Sequence, residues 1–399
     1  MKKSLLALAF GTFGLGVSEY VMMGVLPYLA ADFGVTISQA GWFISAYALG
    51  VCVGAPVIAI AARKLPLKKI LYILLAIFTA AAFAMAVCPK PAEGSGEHWQ
   101  FALMLLLRFL AGTPHGAFFG VSAVAADRLA DKGKSTFAVA IMCSGMTFAN
   151  LIGNPVCTLV TSLFTWRLIF AFTTLWGILT WISIYRWIPE LEAMPDHGLK
   201  SEFRFLKTLP PWLLFACTAL GNGGIFCWYS YISPTLTDLA GVPERMMTLM
   251  MVLAGAGMVI GNLSGGKISD RFGPGHTGRG IEIMILVCLT LVSLTTHILW
   301  CAIPLMVLCT ACLFAVSSPQ QLLMIKFSEG GELLGGAMVQ IAFNLGNALG
   351  AWAGGLPIRE ADPTTYHYPA AIGACFAALG VVCYFIFCRK YERKSISSL

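Results

Sequence analysis

Hydrophobic positions in this chain run in long blocks, and polar positions gather in short segments between them. Twelve blocks reach the roughly 20 residues a helix needs to cross hydrocarbon. They lie near 4–31, 39–62, 70–88, 99–126, 135–161 and 168–187, then near 209–237, 246–266, 281–300, 302–325, 333–358 and 366–388. Strands of a membrane barrel would alternate polar and apolar positions over segments of about 10 residues; these blocks do not. The pattern predicts an all-α membrane protein with twelve transmembrane helices. Residues 283–325 hold no Asp, Glu, Lys or Arg. That run is too long for one span, and Pro304 is expected to mark the turn between two. The first block begins like a secretory leader but continues past Glu19 to about Ala31, so it reads as the first span.

The blocks repeat. Pro27 and Pro234, Gly34 and Gly241, and Gly54 and Gly261 are each 207 residues apart, and "LPYLAADFG" aligns with "SPTLTDLAG" at that same offset. One offset shared by several residues points to a duplicated six-span unit. The expected organisation is an N-terminal half over 1–188, a polar linker over 189–208 and a C-terminal half with a short tail over 209–399. Parallel repeats of this kind place a substrate cavity between the halves near the bilayer midplane.

Composition agrees with lipid as the solvent. The chain is 58% hydrophobic and 11% charged, against about 25% charged in soluble domains. The formal net charge of +7 is set by topology. Lys2, Lys3, Lys68, Lys69, Arg128, Lys132, Arg204, Lys267 and Arg389 all fall in one alternating set of loops, whereas the opposite set holds Lys90, Arg167, Arg245 and Arg359. This bias places both termini in the cytoplasm of a multi-pass inner-membrane protein. Basic loops beside anionic lipid need no nucleic acid as partner. Most of the thirteen cysteines lie within spans. Cys309 and Cys312 have C-x-x-C spacing in an apolar helix without a second pair, so they read as buried small hydrophobes. No metal, cofactor or structural disulfide is expected, and a monomer is.

The stretch "GNLSGGKISDRFG", residues 261–273, nearly matches a phosphate-binding loop through Gly261, Gly266 and Lys267. That motif follows a strand and carries Ser or Thr after the Lys; here an apolar span precedes it and Ile268 follows. The glycines fit close helix approach instead. The same stretch resembles the cytoplasmic-loop signature of the major facilitator superfamily, G-x(8)-D-R-x-G, in its second-half copy. The first-half copy, "GAPVIAIAARKLPLKK", has Arg63 in place of the Asp and Pro66 in place of the Gly. The resemblance implies that Asp270, with Arg271, caps a helix of the other half and stabilises one access state. "LLLRFLAGTPHGAFFG" in span 4 resembles the family's membrane-arginine motif. "GMTFANLIGNPVCT" in span 5 resembles its exporter motif, with Asn154 interrupting the Gly-Pro. Span 1 and "QAGWFISAYALGVCVGAP" resemble the drug:proton antiporter family, in its arabinose efflux permease branch.

Glu19 and Arg108 are the charges read as deep within spans, with Glu282 at the cytoplasmic end of span 9. A charge near the bilayer centre costs about 2.5–3.5 kcal/mol on insertion scales, so it usually has a use. Glu19 is a candidate to bind a proton or a cationic substrate, or else a structural carboxylate. Arg108 cannot give up its proton, and the resemblance implies a role in coupling. His115 lies seven residues after Arg108 on one helix face and could relay protons or simply pack. Polar stripes recur at helical spacing. They are Asn150 and Asn154; Asn222, Tyr229 and Ser233; and Gln340, Asn344 and Asn347. Together they suggest the lining of a cavity, although such amides also hold helices together. Trp228, Tyr229 and Tyr231 could stack on a sugar or flat ring. Gly145, Ala149 and Gly153 form a small-residue seam ahead of Pro155, suited to close packing and gating.

No span supplies paired acids, a metal cluster or a nucleophile with its base, so an enzyme is not expected. No ring of like residues suggests a channel. The expected function is secondary transport, as a proton-coupled antiporter exporting a sugar, nucleoside or amphipathic drug. An uptake symporter or facilitator is the alternative on the same fold. With no deep acid read in the second half, a neutral polar solute is favoured over a dication.

Overall fold

An apolar block in hydrocarbon must satisfy its backbone N–H and C=O groups internally, and a helix does so within one segment. The computed structural model describes residues 2–35, 37–62, 64–89, 99–194, 202–359 and 362–392, and no strand occurs among them. Twelve helices are long and apolar enough to cross a membrane. They are α1 (Lys2–Phe33), α2 (Trp42–Ala62), α3 (Leu67–Ala86), α4 (Trp99–Arg128), α5 (Ser135–Phe148), α6 (Arg167–Trp187), α7 (Leu209–Tyr229), α8 (Met247–Phe272), α9 (Pro274–Thr295), α10 (Leu299–Ala315), α11 (Glu332–Gly355) and α12 (Tyr368–Phe387). α5 continues through a π-turn, Ala149–Gly153, into the helix Asn154–Leu163, and α10 continues as Ser317–Lys326. Large apolar side chains such as Leu294 and Trp300 are exposed, as lipid contact requires.

Four boundaries differ from the sequence expectation. Pro304 lies inside α10, and the turn that divides the uncharged run falls at 296–298. Asp270 and Arg271 belong to the last turn of α8 rather than to a loop. Gly273 alone separates α8 from α9. Its φ of +88° is open to glycine, and Pro274 starts α9 at the position where a missing N–H costs nothing. α9 therefore begins at Pro274 instead of near 281. α7 ends at Tyr229, ahead of a short turn Ile232–Pro234 and a π-turn Thr235–Leu239.

The offset of 207 is visible in the backbone. Gly34 and Gly241 both adopt positive φ, +63° and +72°. Gly54 abuts Thr113 on α4, and Gly261 abuts Ala311 on α10. In each case a Cβ would meet backbone of the neighbouring helix, so the α2–α4 and α8–α10 pairs use glycine for the same close approach. α1 packs on α5 and α6 as α7 packs on α11 and α12.

The two sets of six helices meet most closely at the end where α4 and α8 finish and α5 and α11 begin. There residues 114–126 of α4 and 333–340 of α11 are buried on every side, and Gly120 faces Gly336 across the joint. Toward the other end α11 changes character, with Leu345, Leu349, Trp352 and Leu356 exposed.

Candidate functional site

Glu19 stands midway along α1 with its side chain 11% exposed. Its Oε2 lies 3.8 Å from Nε2 of His115, which is fully buried on α4. The imidazole is held from its other side. Tyr47 Oη of α2 is 2.9 Å from Nδ1, and the ring stacks on Phe119 with centroids 5.1 Å apart. When the Tyr47 hydroxyl donates to Nδ1, the ring proton resides on Nε2 and faces Glu19. Neither Glu19 Oε2 nor His115 Nε2 has a hydrogen-bond partner. Both are placed to accept or give one as the 3.8 Å gap closes.

Arg108 is fully buried two turns earlier on the same face of α4. Nε donates to the Phe43 carbonyl at 3.2 Å and Nη1 to the Ser18 carbonyl at 2.8 Å. The guanidinium also lies 4.4 Å from the centroid of the Tyr47 ring. It makes no direct ion pair with Glu19, yet it lies within electrostatic reach of that carboxyl. Thus α1, α2 and α4 bring together Glu19, His115, Tyr47 and Arg108. The sequence placed three of these on α1 and α4. It did not single out Tyr47, because its role depends on α2 packing against α4 through Gly50 and Gly112. Tyr47 lies within the quoted stretch "QAGWFISAYALG", which was the one signal available.

The expected cavity residues differ in their surroundings. Asn150 and Asn344 donate back to the carbonyl four residues earlier, Met146 at 3.1 Å and Gln340 at 2.9 Å. Asn222, Gln340 and Trp228 are buried, with Asn222 Oδ1 and Trp228 Nε1 unpartnered. Tyr229 and Asn347 are half-buried, and Tyr229 packs edge-on against Phe226 at 5.9 Å. Ser233 is exposed and lies beyond the end of α7, so the helical spacing from Asn222 does not carry through to it. Tyr231 donates to the Ala351 carbonyl at 2.8 Å. The side chain of Asn154 and all of Arg63 lie outside the described residues.

The small-residue seam of α5 packs on α1. Gly145 meets the carbonyl of Ala9, Ala149 meets Gly16, and Gly153 meets Val17. The π-turn Ala149–Gly153 sits just ahead of Pro155. A proline there would otherwise collide with the carbonyl four residues before it, and one extra residue in the turn relieves the clash. Across the joint, Asp270 accepts from the backbone N–H of Thr136 at 2.8 Å and of Phe137 at 3.0 Å. A carboxylate thus caps the positive end of α5. Asn262 adds a buried bond to the Ala140 carbonyl at 2.7 Å, and Lys267 lies over the Phe137 ring at 5.3 Å. Arg271 lies over the neighbouring Phe272 ring instead.

One charge departs from its expected place. Glu282, expected at the cytoplasmic end of span 9, is fully buried on α9, because that helix starts seven residues earlier than the apolar block suggests. The second half does contain a deep acid, and the preference for a neutral solute loses its ground.

The sequence and the fold match known proteins. Residues 8–338 match the Major Facilitator Superfamily. The chain belongs to this superfamily. It is 38% identical over 394 residues to AraJ of Escherichia coli (strain K12), covering 99% of this chain and 97% of that one. It is 35% identical over 386 residues to the inner membrane transport protein YdhP of the same strain, covering 97% and 96%. Among solved structures, FucP in the outward conformation superposes with a TM-score of 0.74 at 16% identity, covering 97% of this chain and 98% of FucP. The proton:xylose symporter XylE superposes with a TM-score of 0.72 at 16% identity, covering 98% and 95%. The chain is accordingly a multi-pass transporter of this superfamily, built from twelve helices, and not an enzyme.

Proposed function

We propose that this superfamily member is a proton-coupled antiporter that exports a small solute (a sugar, a nucleoside or an amphipathic drug) by alternating access between halves 1–188 and 209–399, joined by the linker 189–208. The observation that carries the reading is the Glu19–His115 pair at the middle of the bundle, held by Tyr47 beside the fixed charge of Arg108. The loop charges favour an inner-membrane placement with both termini cytoplasmic. On that orientation the tightly packed end is the cytoplasmic one, and the structure is outward-facing. The Asp270 cap on α5 then holds the cytoplasmic gate shut.

In this cycle Glu19 takes a proton from the periplasmic side while the solute leaves. Neutralisation ends its attraction to the imidazole Nε2–H and to Arg108, and the halves rock to the other side. Solute binding from the cytoplasm favours the ionised carboxyl, which releases the proton there and resets the site. Substrate and proton thus compete for one state of Glu19. The half-buried Tyr229 and Asn347 support a polar and aromatic lining contributed by α7 and α11.

The same carboxyl would serve a symporter if solute and proton bound together, and the fold likeness to XylE favours that second reading at the level of architecture alone. The exporter reading rests on the α5 stretch with its π-turn before Pro155. The sign of proton movement decides. In proteoliposomes carrying an outward pH gradient, antiport is expected to drive solute uphill against the proton flow. Uphill solute movement in the same direction as protons would establish symport and end the exporter reading.

A further inference from the structure

The second half holds a carboxyl that the cycle above does not use. Glu282 lies nine residues into α9, about 12 Å along the helix at 1.5 Å per residue. It is fully buried, and neither carboxyl oxygen has a hydrogen-bond partner. It fits where two neighbouring helices lack side chains. A Cβ on Gly221 of α7 would lie 2.5 Å from both oxygens, and one on Gly380 of α12 would lie 2.5 Å from Oε1. One turn away, Tyr384 Oη of α12 rests against Gly278 of α9, also without a partner. Gln320, on the continuation of α10, is buried with both amide atoms unpartnered and lies beside Tyr384.

None of the groups within electrostatic reach is a cation. They are Cys217 from α7, Cys312 from α10, and Cys383 and Tyr384 from α12. The charged groups nearby in sequence face elsewhere. Arg279, on α9 itself, lies over Phe385 at 5.1 Å. His276, at the start of α9, pairs with Glu392 at 2.8 Å. From α8, Lys267 and Asp270 turn to the first half and Arg271 lies over Phe272. An ionised carboxylate without donor or cation is among the costliest groups to bury, so in this state Glu282 carries a proton.

We propose that Glu282 is a second proton-carrying carboxyl of the transport cycle. It is closed in as the neutral acid while α7, α9 and α12 are packed around it, and it discharges its proton when α7 moves away from α12. The inference rests on proton-coupled transport as read above, with Glu19 as the first carrier. Gly221 and Gly380 are what make the closed form possible, and opening either contact would bring water to Oε1. The bond change is simple: the O–H of the acid breaks, the proton leaves to water, and the carboxylate remains in the opened cleft.

The test is the infrared difference spectrum of the reconstituted full chain on adding a transported solute. Two carbonyl bands of protonated carboxylic acids are expected to decrease, one missing in Glu19→Gln and the other in Glu282→Gln. Should Glu282→Gln fail to fold, Glu282→Asp is expected to shift that second band rather than remove it. Protons moved per solute are expected to fall in Glu282→Gln toward the number carried by Glu19 alone. Absence of any band assignable to Glu282 would overturn the proposal, as would a band unmoved by solute or an unchanged proton count. A Glu282 band that decreases while no band assignable to Glu19 changes would instead count against Glu19 as carrier, so the two failures are distinguishable.

Discussion

Tyr47 converts a pair of buried charges into an oriented site. Its hydroxyl fixes the imidazole of His115 at 2.9 Å, and its ring face lies against Arg108 at 4.4 Å. Tyr47→Phe keeps the ring and removes the hydroxyl. A net hydrogen bond of about 0.5–1.5 kcal/mol predicts a two- to tenfold loss of proton-coupled transport with folding retained, measured as initial solute flux in proteoliposomes. Arg108→Lys cannot span the carbonyls of Phe43 and Ser18 and also cover the ring. It leaves buried carbonyls unpaired at about 1–3 kcal/mol each, and a lower unfolding temperature in detergent is the expected readout. The shared face of Arg108 and His115 was legible from their spacing alone. Tyr47 and the burial of Glu282 were not, because each depends on contacts or helix starts that no single span reveals.

At the scale of helices, glycines set the distances. Gly54 on α2 and Gly261 on α8 occupy equivalent close approaches, to α4 and α10. Gly261→Val would push a branched side chain into the backbone of Ala311, and overpacking of about 1–3 kcal/mol predicts reduced thermal stability. An equal defect is expected for Gly54→Val against Thr113. Asp270 works on a different term. Removing its charge at the start of α5 costs about 0.3–1 kcal/mol, which shifts the balance of access states about two- to fivefold. Asp270→Asn should therefore speed hydrogen exchange at the Thr136 and Phe137 amides, which Asp270 now accepts from. Unchanged exchange there would show that the cap does not hold the gate. The spans themselves were readable because twenty apolar residues have few alternatives in lipid. The α8–α9 boundary was not, since one glycine at positive φ followed by a proline makes a turn without any polar loop. The amides of Asn150 and Asn344 show the same limit. Their spacing is helical, but each bonds its own backbone, which a pattern of positions does not disclose.

For the whole molecule, the duplicated unit explains both symmetry and its breach. Equivalent glycines repeat the fold at an offset of 207, while the chemistry differs between the halves. The first half carries the carboxylate–imidazole pair, of which only the Glu19 side chain is slightly exposed. The second carries a carboxyl sealed among glycines, thiols and a phenol. The second-half copy of the loop signature supplies Asp270 to the start of α5 in the opposite half. A molecule that binds protons at Glu19 and rocks about this joint must lose coupling when Glu19 can no longer ionise. The decisive measurement is proton movement in proteoliposomes under an imposed pH gradient, with sugars, nucleosides and lipophilic monocations offered to wild type and to Glu19→Gln. The expected result is that one solute class drives proton flux in wild type and none in the variant. Equal solute movement in both proteins, with or without the gradient, would contradict proton coupling through Glu19 and leave facilitated diffusion as the account of this transporter.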